Sequence, residues 1–523
     1  MVQGWLHECQ TSHPACLPHG SSEHLVKLID CSTRRVISVS TLDTTPEYVA
    51  LSYVWGEHIP KPGDGDGDSN ATAQVIEDAL SVTKSLGHRY LWVDKYCVDQ
   101  DDSFQKHEQI MNMDSIYENA SLTIIAAAGL DHSRGLPGIS SNRLKKEIPF
   151  QHDNFSLSWI PPSPHKEILE SRWSTRGWTY QEAVLSRRRL VFTDRQVYFE
   201  CRSMACYESL RIPLQDLFPS SVDIFRLPQI FSSSHLKSTV SASSVAQAAQ
   251  DTEDEQLVPR DWKMFAFNAY TRCAERYSQR TLTFESDSLN AFGGMIKRFE
   301  SLEQGTLRHL WGIPFFDPRD DQSPDDIVDY AGFLLAGLCW RHESRSKSLR
   351  RRNMFPSWSW TGWEGAVTWP KVDASFEVQA SDLYTLSSIQ LSFEDGSTRS
   401  IPDVRDKRPG GDRLGQYPKA LLLQTSAVSG YAFPFKGPSL TTNQSPEYTW
   451  YPSVADLDVV RMVQQLQSGD LKALRLGIVG KVGFLLVVKK RKSSFYRVGL
   501  IQVCSALITE SIQTHQVRAF KIK

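Results

Sequence analysis

Tyr48-Val49-Ala50-Leu51-Ser52-Tyr53-Val54-Trp55-Gly56 decides the fold. β-Branched and aromatic residues run without interruption and stop at a glycine, the pattern of a buried strand that opens into a loop. A strand buried on both faces needs cover above and below. The next residues supply it. Val75, Ala79, Val82 and Leu86 recur at helical spacing, and Gly87 can end that helix. Tyr90-Leu91-Trp92-Val93-Asp94 reads as a second strand. Asp102 or Ser103 can cap a second helix, marked by Ile110, Met113, Tyr117 and Ala120, and Leu122 to Ala128 is a third strand ending at Gly129. Strand–helix–strand–helix–strand with short joins implies a parallel sheet covered on both faces.

Around this unit the signals are weaker. Leu25 to Ile29 and Val36 to Val39 can pair as a small ribbon upstream. The loop from Lys61 to Asn70 invites a calcium reading, but a loop starting at Asp64 needs Gly at position 69 and Glu at 75, where Ser69 and Val75 stand. It reads as an acidic surface insertion. From Gly129 to Ser171 no strong pattern holds. Pro161-Pro162-Ser163-Pro164 suggests irregular loop, with a short ribbon hidden at 148–160. Leu190 to Thr193, a turn at 194–196 and Val197 to Glu200 form a hairpin.

Between these lies Ser171-Arg172-Trp173-Ser174-Thr175-Arg176-Gly177-Trp178-Thr179-Tyr180-Gln181-Glu182. Ser174 or Thr175 can cap a helix in which Trp178, Gln181, Glu182 and Leu185 share one face. A carboxylate on the face that carries Trp and Leu is unusual, because an ionised Glu is rarely buried without a partner. It is either half of an ion pair with Arg172, Arg176 or a distant Arg, or a functional group.

With 523 residues the chain exceeds one ordinary domain. A net charge of −2 argues against a bulk nucleic-acid binder. The basic runs Arg350-Arg351-Arg352 and Lys489-Lys490-Arg491-Lys492 are short, and the second falls at a hairpin tip where solvated charge is expected. Fourteen Trp thicken between 340 and 369, which marks a packed aromatic region. The nine Cys are scattered without a CxxC pair. His7, Cys9, His13, Cys16 and His19 can ligate metal but lack a recognised spacing, so a mobile N-terminal tail and no metal site are expected there. Cys97 near His107 prompts a thiol-nucleophile idea, but His107 starts a helix on its outer side, and Cys97 reads as packing. No secretory pattern and no apolar run of about 18 residues occurs, so a soluble cytoplasmic protein with no membrane span is expected. Residues 219–257 are Ser- and Ala-rich and end in Asp251-Thr252-Glu253-Asp254-Glu255, a linker composition. Trp262 to Tyr277 reads as a helix with Trp262, Phe265, Ala269 and Arg272 along one side. Tyr330 to Trp340, Leu421 to Ala427, and the pair Lys481–Val488 and Phe495–Leu500 read as strands.

Three ordered blocks carry a resemblance: Tyr48 to Gly56; Leu91-Trp92-Val93-Asp94-Lys95-Tyr96-Cys97-Val98-Asp99-Gln100-Asp101-Asp102; and Arg176-Gly177-Trp178-Thr179-Tyr180-Gln181-Glu182. With Ile116-Tyr117-Glu118-Asn119-Ala120 between them, they resemble the heterokaryon incompatibility (HET) domain of fungal proteins. Downstream, Tyr277 to Thr283, Asp287-Ser288-Leu289 and Phe355-Pro356-Ser357-Trp358-Ser359-Trp360 resemble segments that follow that domain. One departure is visible: Asp99 stands where the family usually has Asn. Lys95 and Tyr96 also replace smaller or apolar residues.

The resemblance implies a role in self/non-self recognition and programmed cell death. HET domains are similar to TIR domains, which implies an α/β fold: a TIR/flavodoxin-like parallel sheet with insertions, followed by a mixed helical and β-rich C-terminal region. The implied layout is an N-terminal tail and ribbon over 1–47, the HET domain over 48–217, a linker over 218–260 and the C-terminal region over 261–523. Catalytic TIR domains hydrolyse NAD⁺ with a Glu in a helix that follows the third strand, and Trp178 to Glu182 matches its Trp-to-Glu interval. Carried over, Glu182 is the catalytic carboxylate, and Ser52, Tyr53, Trp55 and Gly56 line the pocket. Trp55 or Trp178 stacks on a ring, Asp94 accepts from a ribose hydroxyl and Arg176 contacts phosphate. NAD⁺ is then substrate, with no resident cofactor, and the partner is a second copy or another incompatibility protein. The competing expectation is a non-enzymatic module that signals by oligomerising, with Glu182 in a structural pair.

Overall fold

The computed structural model describes the chain outside residues 18–23, 45, 57–72, 100, 145–149, 153–154, 158–161, 210–257, 303–306, 317–331, 344–348, 373–388, 401–416, 429–432, 434–447, 455–456, 480–481 and 505–517. The 61–70 insertion and the 219–257 stretch therefore lie outside the described residues. Two compact units are present: residues 1–234 with 290–295, and residues 235–289 with 296–523.

The first unit is built on an eight-stranded mixed sheet. Its centre is four parallel strands: β3 (Tyr48–Ser52), β4 (Tyr90–Trp92), β5 (Leu122–Ala126) and β8 (Arg188–Phe192). They lie in the order β8-β5-β3-β4, so the first strand has the second on one side and the third on the other, as in flavodoxin-like sheets. β3, β5 and β8 are buried along their whole length, which is what their uninterrupted apolar runs require. Antiparallel hairpins flank this centre. β1 (Lys27–Asp30) and β2 (Arg35–Ser38) form the expected ribbon and join at β4; β9 (Val197–Cys201) and β10 (Ala205–Tyr207) join at β8.

The helices follow their sequence signals with three differences. Helix α2 (Gln74–Ser85) ends before Gly87, whose φ of 86° needs a residue without Cβ. The expected second helix is two, α4 (Ser103–Met111) and α5 (Met113–Asn119). They divide at Asn112, whose side-chain amide donates to the Glu108 carbonyl. The Asp102 carboxylate caps α4 by accepting from the Phe104 and Gln105 N–H groups. The Pro-rich stretch expected as loop carries a helix, Pro164–Glu170, with Pro at its start where a missing N–H costs nothing. Phe150–His152 and Phe155–Leu157 are the hidden ribbon. The third difference is the N-terminal stretch, expected as a tail: Val2–Ser12 is helix α1, with Trp5, Leu6 and Cys9 buried and the Trp5 ring 6.1 Å from Phe199 of β9.

β8 opens with arginines. Arg187, Arg188 and Arg189 are all buried. Arg187 donates to the carbonyls of Glu118, Asn119 and Ala120, and Arg189 pairs with Glu200 of β9 at 3.2 Å, both side chains at most 1% exposed. Tyr198 completes this pair by donating to Glu200 at 2.5 Å.

The second unit is helical, then β-rich. Its first helix, Val258–Ser278, buries Ala266, Phe267, Ala269, Tyr270, Ala274 and Tyr277, whereas Phe265, placed along one side with Ala269, is 63% exposed. The segment expected as a strand at 330–340 is helical over 332–338. Its apolar run is continuous and buried, a pattern that does not by itself separate a strand from a core helix. Nine strands form the main sheet, including Ala420–Thr425 and the long hairpin Val482–Arg491 with Ser494–Cys504. Trp340, Trp358, Trp360, Trp363 and Trp369 are buried, as the thickening of Trp implied. The first basic run is bound to neighbouring groups, and the second is solvated. Arg350 pairs with Glu285 and Glu364, and buried Arg352 donates to the carbonyls of Thr361 and Trp363. Lys489 to Arg491 are exposed next to the hairpin turn, with Lys492 at φ 53°.

Candidate active site

In an open parallel sheet, ligands bind beyond the carboxyl ends of the strands where the strand order reverses. That point lies between β3 and β5. Ser52 ends β3, and it sits at the centre of a buried hydrogen-bond chain. Its Oγ donates to Glu182 Oε2 at 2.5 Å and accepts from Trp173 Nε1 at 2.7 Å. Ser52, Trp173 and Glu182 are all buried, Glu182 at 6% exposure.

The backbone that delivers Glu182 differs from the expected helix. A single turn, Trp173–Thr175, is followed by a break at Gly177, and helix α7 spans Thr179–Leu185. Neither Ser174 nor Thr175 caps it. Ser174 Oγ donates to the carbonyls of Leu169 and Ser171, and Thr175 Oγ1 to that of Arg172, so both close the turn before. Glu182 stands in the first turn of α7, where a helix favours negative charge. The expected face is real: Gln181, Glu182 and Leu185 are buried and Trp178 partly so. Gln181 accepts from the Gly294 N–H at 3.0 Å, and a Cβ on Gly294 would meet Asp114 and Leu185 at 2.5 and 2.8 Å. That segment is seated on α7 too closely for any side chain.

A second carboxylate stands nearby. Asp94 opens the short helix Asp94–Cys97 straight after β4, where its Oδ2 accepts from Trp55 Nε1 at 2.8 Å and its Oδ1 from the Lys95 N–H at 2.7 Å. Burial, and then the Glu182 carboxylate, push its pKa up to about 7; the Lys95 N–H, the Trp55 indole and the Arg176 guanidinium act in the opposite sense. Arg176 Nη1 donates to the Tyr53 carbonyl at 3.1 Å, which fixes a cation at the end of β3. The Tyr53 phenol is buried, and burial together with Asp94 raises its pKa. Gly56 has φ 86°, and a Cβ there would lie 2.8 Å from His132 Nδ1, which itself sits 2.5 Å from the Trp55 carbonyl oxygen.

The structure thus brings Glu182, Ser52, Tyr53, Trp55, Asp94 and Arg176 together, with Gly56 at the rim. Trp55 and Trp178 both pack against the sheet core while keeping partial exposure. Trp173, Tyr117 and His132 were not foreseen as site residues. Tyr117 donates to the Leu51 carbonyl at 3.1 Å, and burial with the Glu182 charge suppresses its ionisation. Tyr117 lay inside the Ile116–Ala120 segment and Trp173 three residues before the third block, so both had a signal nearby; His132 had none. Asp99 has a local explanation, a 2.9 Å bridge to Lys27 that lowers its pKa. The Cys97 thiol is buried and pushed up to about 12, which disfavours a thiolate nucleophile. Chemically, a buried carboxylate beside a second one poised near neutrality, with two partly exposed indoles, suits stabilising a cationic sugar centre or moving a proton.

The comparisons agree with the blocks. Residues 48–182 match the family model described as heterokaryon incompatibility protein (HET). A curated relative, heterokaryon incompatibility protein 6, OR allele, of Neurospora crassa, is 24% identical over an alignment covering 28% of this chain and 29% of the relative. The chain therefore spans less than a third of that relative. No solved structure matches the chain. The match ends at Glu182 and includes three of the four parallel strands, while the fourth strand and both flanking hairpins lie outside it. Residues 48–182 thus carry a HET domain signature, running from the first parallel strand to the helix that holds Glu182.

Proposed function

We propose that this chain acts in fungal incompatibility, in self/non-self recognition leading to cell death, by hydrolysing NAD⁺ to nicotinamide and ADP-ribose. One observation carries the reading. Glu182 is held at the carboxyl end of the first parallel strand by Ser52 and Trp173, within electrostatic reach of Asp94. In the reaction the bond between the anomeric carbon and the nicotinamide nitrogen breaks, and its electron pair leaves with nicotinamide. The ionised Glu182 stabilises the positive charge that builds on the ribose. Water adds to the anomeric carbon, and the proton it sheds passes to a carboxylate; Asp94, with its pKa near 7, is suited to take it. Arg176 is the cation available to phosphate and Trp55 or Trp178 the ring available for stacking.

A second reading is favoured by the burial of Glu182. A carboxylate that is 6% exposed and already hydrogen-bonded also suits a structural role in a non-enzymatic module that signals by assembling with copies of itself or with a partner incompatibility protein. The 523-residue chain, incubated with NAD⁺ from dilute to concentrated solution, separates the two. The expected result is nicotinamide release that falls about 100-fold or more in folded Glu182→Gln, the scale of losing one transition-state group. Absence of release at every concentration, with Glu182→Gln retaining wild-type toxicity in cells, sinks the enzymatic reading.

A further inference from the structure

Away from this site, three thiols and an imidazole meet at the far end of the sheet. Cys9 closes the buried face of α1, His13 follows that helix, Cys16 ends the turn Pro14–Cys16, and Cys201 ends β9. Their ligand-capable atoms all lie within 4.8 Å of one another, with the three cysteines buried and His13 half-buried. From this geometry we infer that Cys9, His13, Cys16 and Cys201 form a structural zinc site.

The donor set fits. Four Cys and His ligands in a closed shell are the usual structural zinc arrangement, with Zn–S of about 2.3 Å and Zn–N of about 2.0 Å. A regular tetrahedron of that size puts the ligand atoms about 3.5–3.8 Å apart, so a contraction of at most about 1 Å closes the site. The spacing is too tight for an iron–sulfur cluster, whose ligands straddle two or more irons. The surroundings supply what thiolates need. Arg188 Nε lies 3.0 Å from Cys9 Sγ, the Ser203 and Met204 N–H groups each donate to Cys201 Sγ at 3.3 Å, and the Arg202 backbone N–H bonds Cys16. Three thiolates and one neutral imidazole around Zn²⁺ leave one negative charge, and the Arg188 guanidinium beside Cys9 balances it. A disulfide is a poorer account, because pairing two of the thiols leaves the third sulfur and the imidazole with the same converging donors. The bound ion ties α1 and its following turn to the end of β9 across the 184 residues of chain between Cys16 and Cys201.

Metal analysis of the purified chain, grown with zinc and freed of loosely held ions, tests this. About one zinc per chain is expected, falling at least about fivefold in Cys16→Ser and Cys201→Ser and unchanged in Cys339→Ser. Because the serine variants can misfold, cobalt is exchanged into the wild type as a second readout. The expected result is the thiolate charge-transfer and intense visible bands of a tetrahedral site. His13→Cys, which keeps four donors, retains the stoichiometry and shifts those bands. A wild type with less than about a tenth of an equivalent of metal and no cobalt bands overturns the site. So does full zinc content in Cys201→Ser, or a disulfide among Cys9, Cys16 and Cys201 in the denatured mass spectrum.

Discussion

Ser52 shows how one hydroxyl can hold two residues that are far away in sequence: it donates to Glu182 and accepts from Trp173, 130 and 121 positions on. Replacing it with Ala leaves a buried indole N–H and a buried carboxylate each short of a partner, and the cost expected is about 1–3 kcal/mol in chemical unfolding. The sequence could place Glu182 on an apolar helix face, because that depends on spacing within five residues. It could not name Ser52 as the partner rather than an arginine, because that depends on where two distant segments meet. Asp94 makes a second prediction. Its folded pKa of about 7 lies above the ordinary 3.8, so between these values the folded chain keeps a proton that the unfolded chain has lost. Stability from this group therefore declines as pH rises through that window. Urea unfolding across it should show the decline flattened in Asp94→Asn; an unchanged slope would falsify the raised pKa.

Among the elements, β8 departs furthest from what its composition suggests. A run of Ser186-Arg187-Arg188-Arg189 signals exposed charge by composition, yet the strand begins inside it and buries all three arginines. The carbonyls at the end of α5 and the Glu200 carboxylate absorb the donors, so the cost of burial is met by partners that no local pattern names. Arg189→Leu removes the cation that faces Glu200 in the core. A loss of about 3–5 kcal/mol is expected from denaturation, and a loss under about 1 kcal/mol contradicts the ion-pair account. The parallel strands were legible because burial on both faces writes itself as an unbroken apolar run. The same property misled at 332–338, where an equally unbroken run is helix.

For the molecule as a whole, acid should act on the second unit in the opposite sense from Asp94. Burial pushes His309 and His342 down to about 4, and both ring nitrogens of His342 are without a hydrogen bond among the described residues. Below the ordinary 6.5 the unfolded chain takes up protons that these folded imidazoles refuse, so their stabilising contribution is lost as pH falls from about 6.5 towards 4. Hydrogen exchange followed along the chain should show residues 296–302, 307–316 and 332–343 losing protection over that range, and less so in His342→Phe. The first unit carries one more consequence in its borders. Each outer parallel strand, β4 and β8, is already matched by an antiparallel hairpin, and the outermost strands are three or four residues long, one of them bearing exposed Arg35. Short, twisted, charged borders are poor templates for a strand from another molecule. The borders of this sheet therefore disfavour edge-to-edge, fibril-like growth between copies of the first unit.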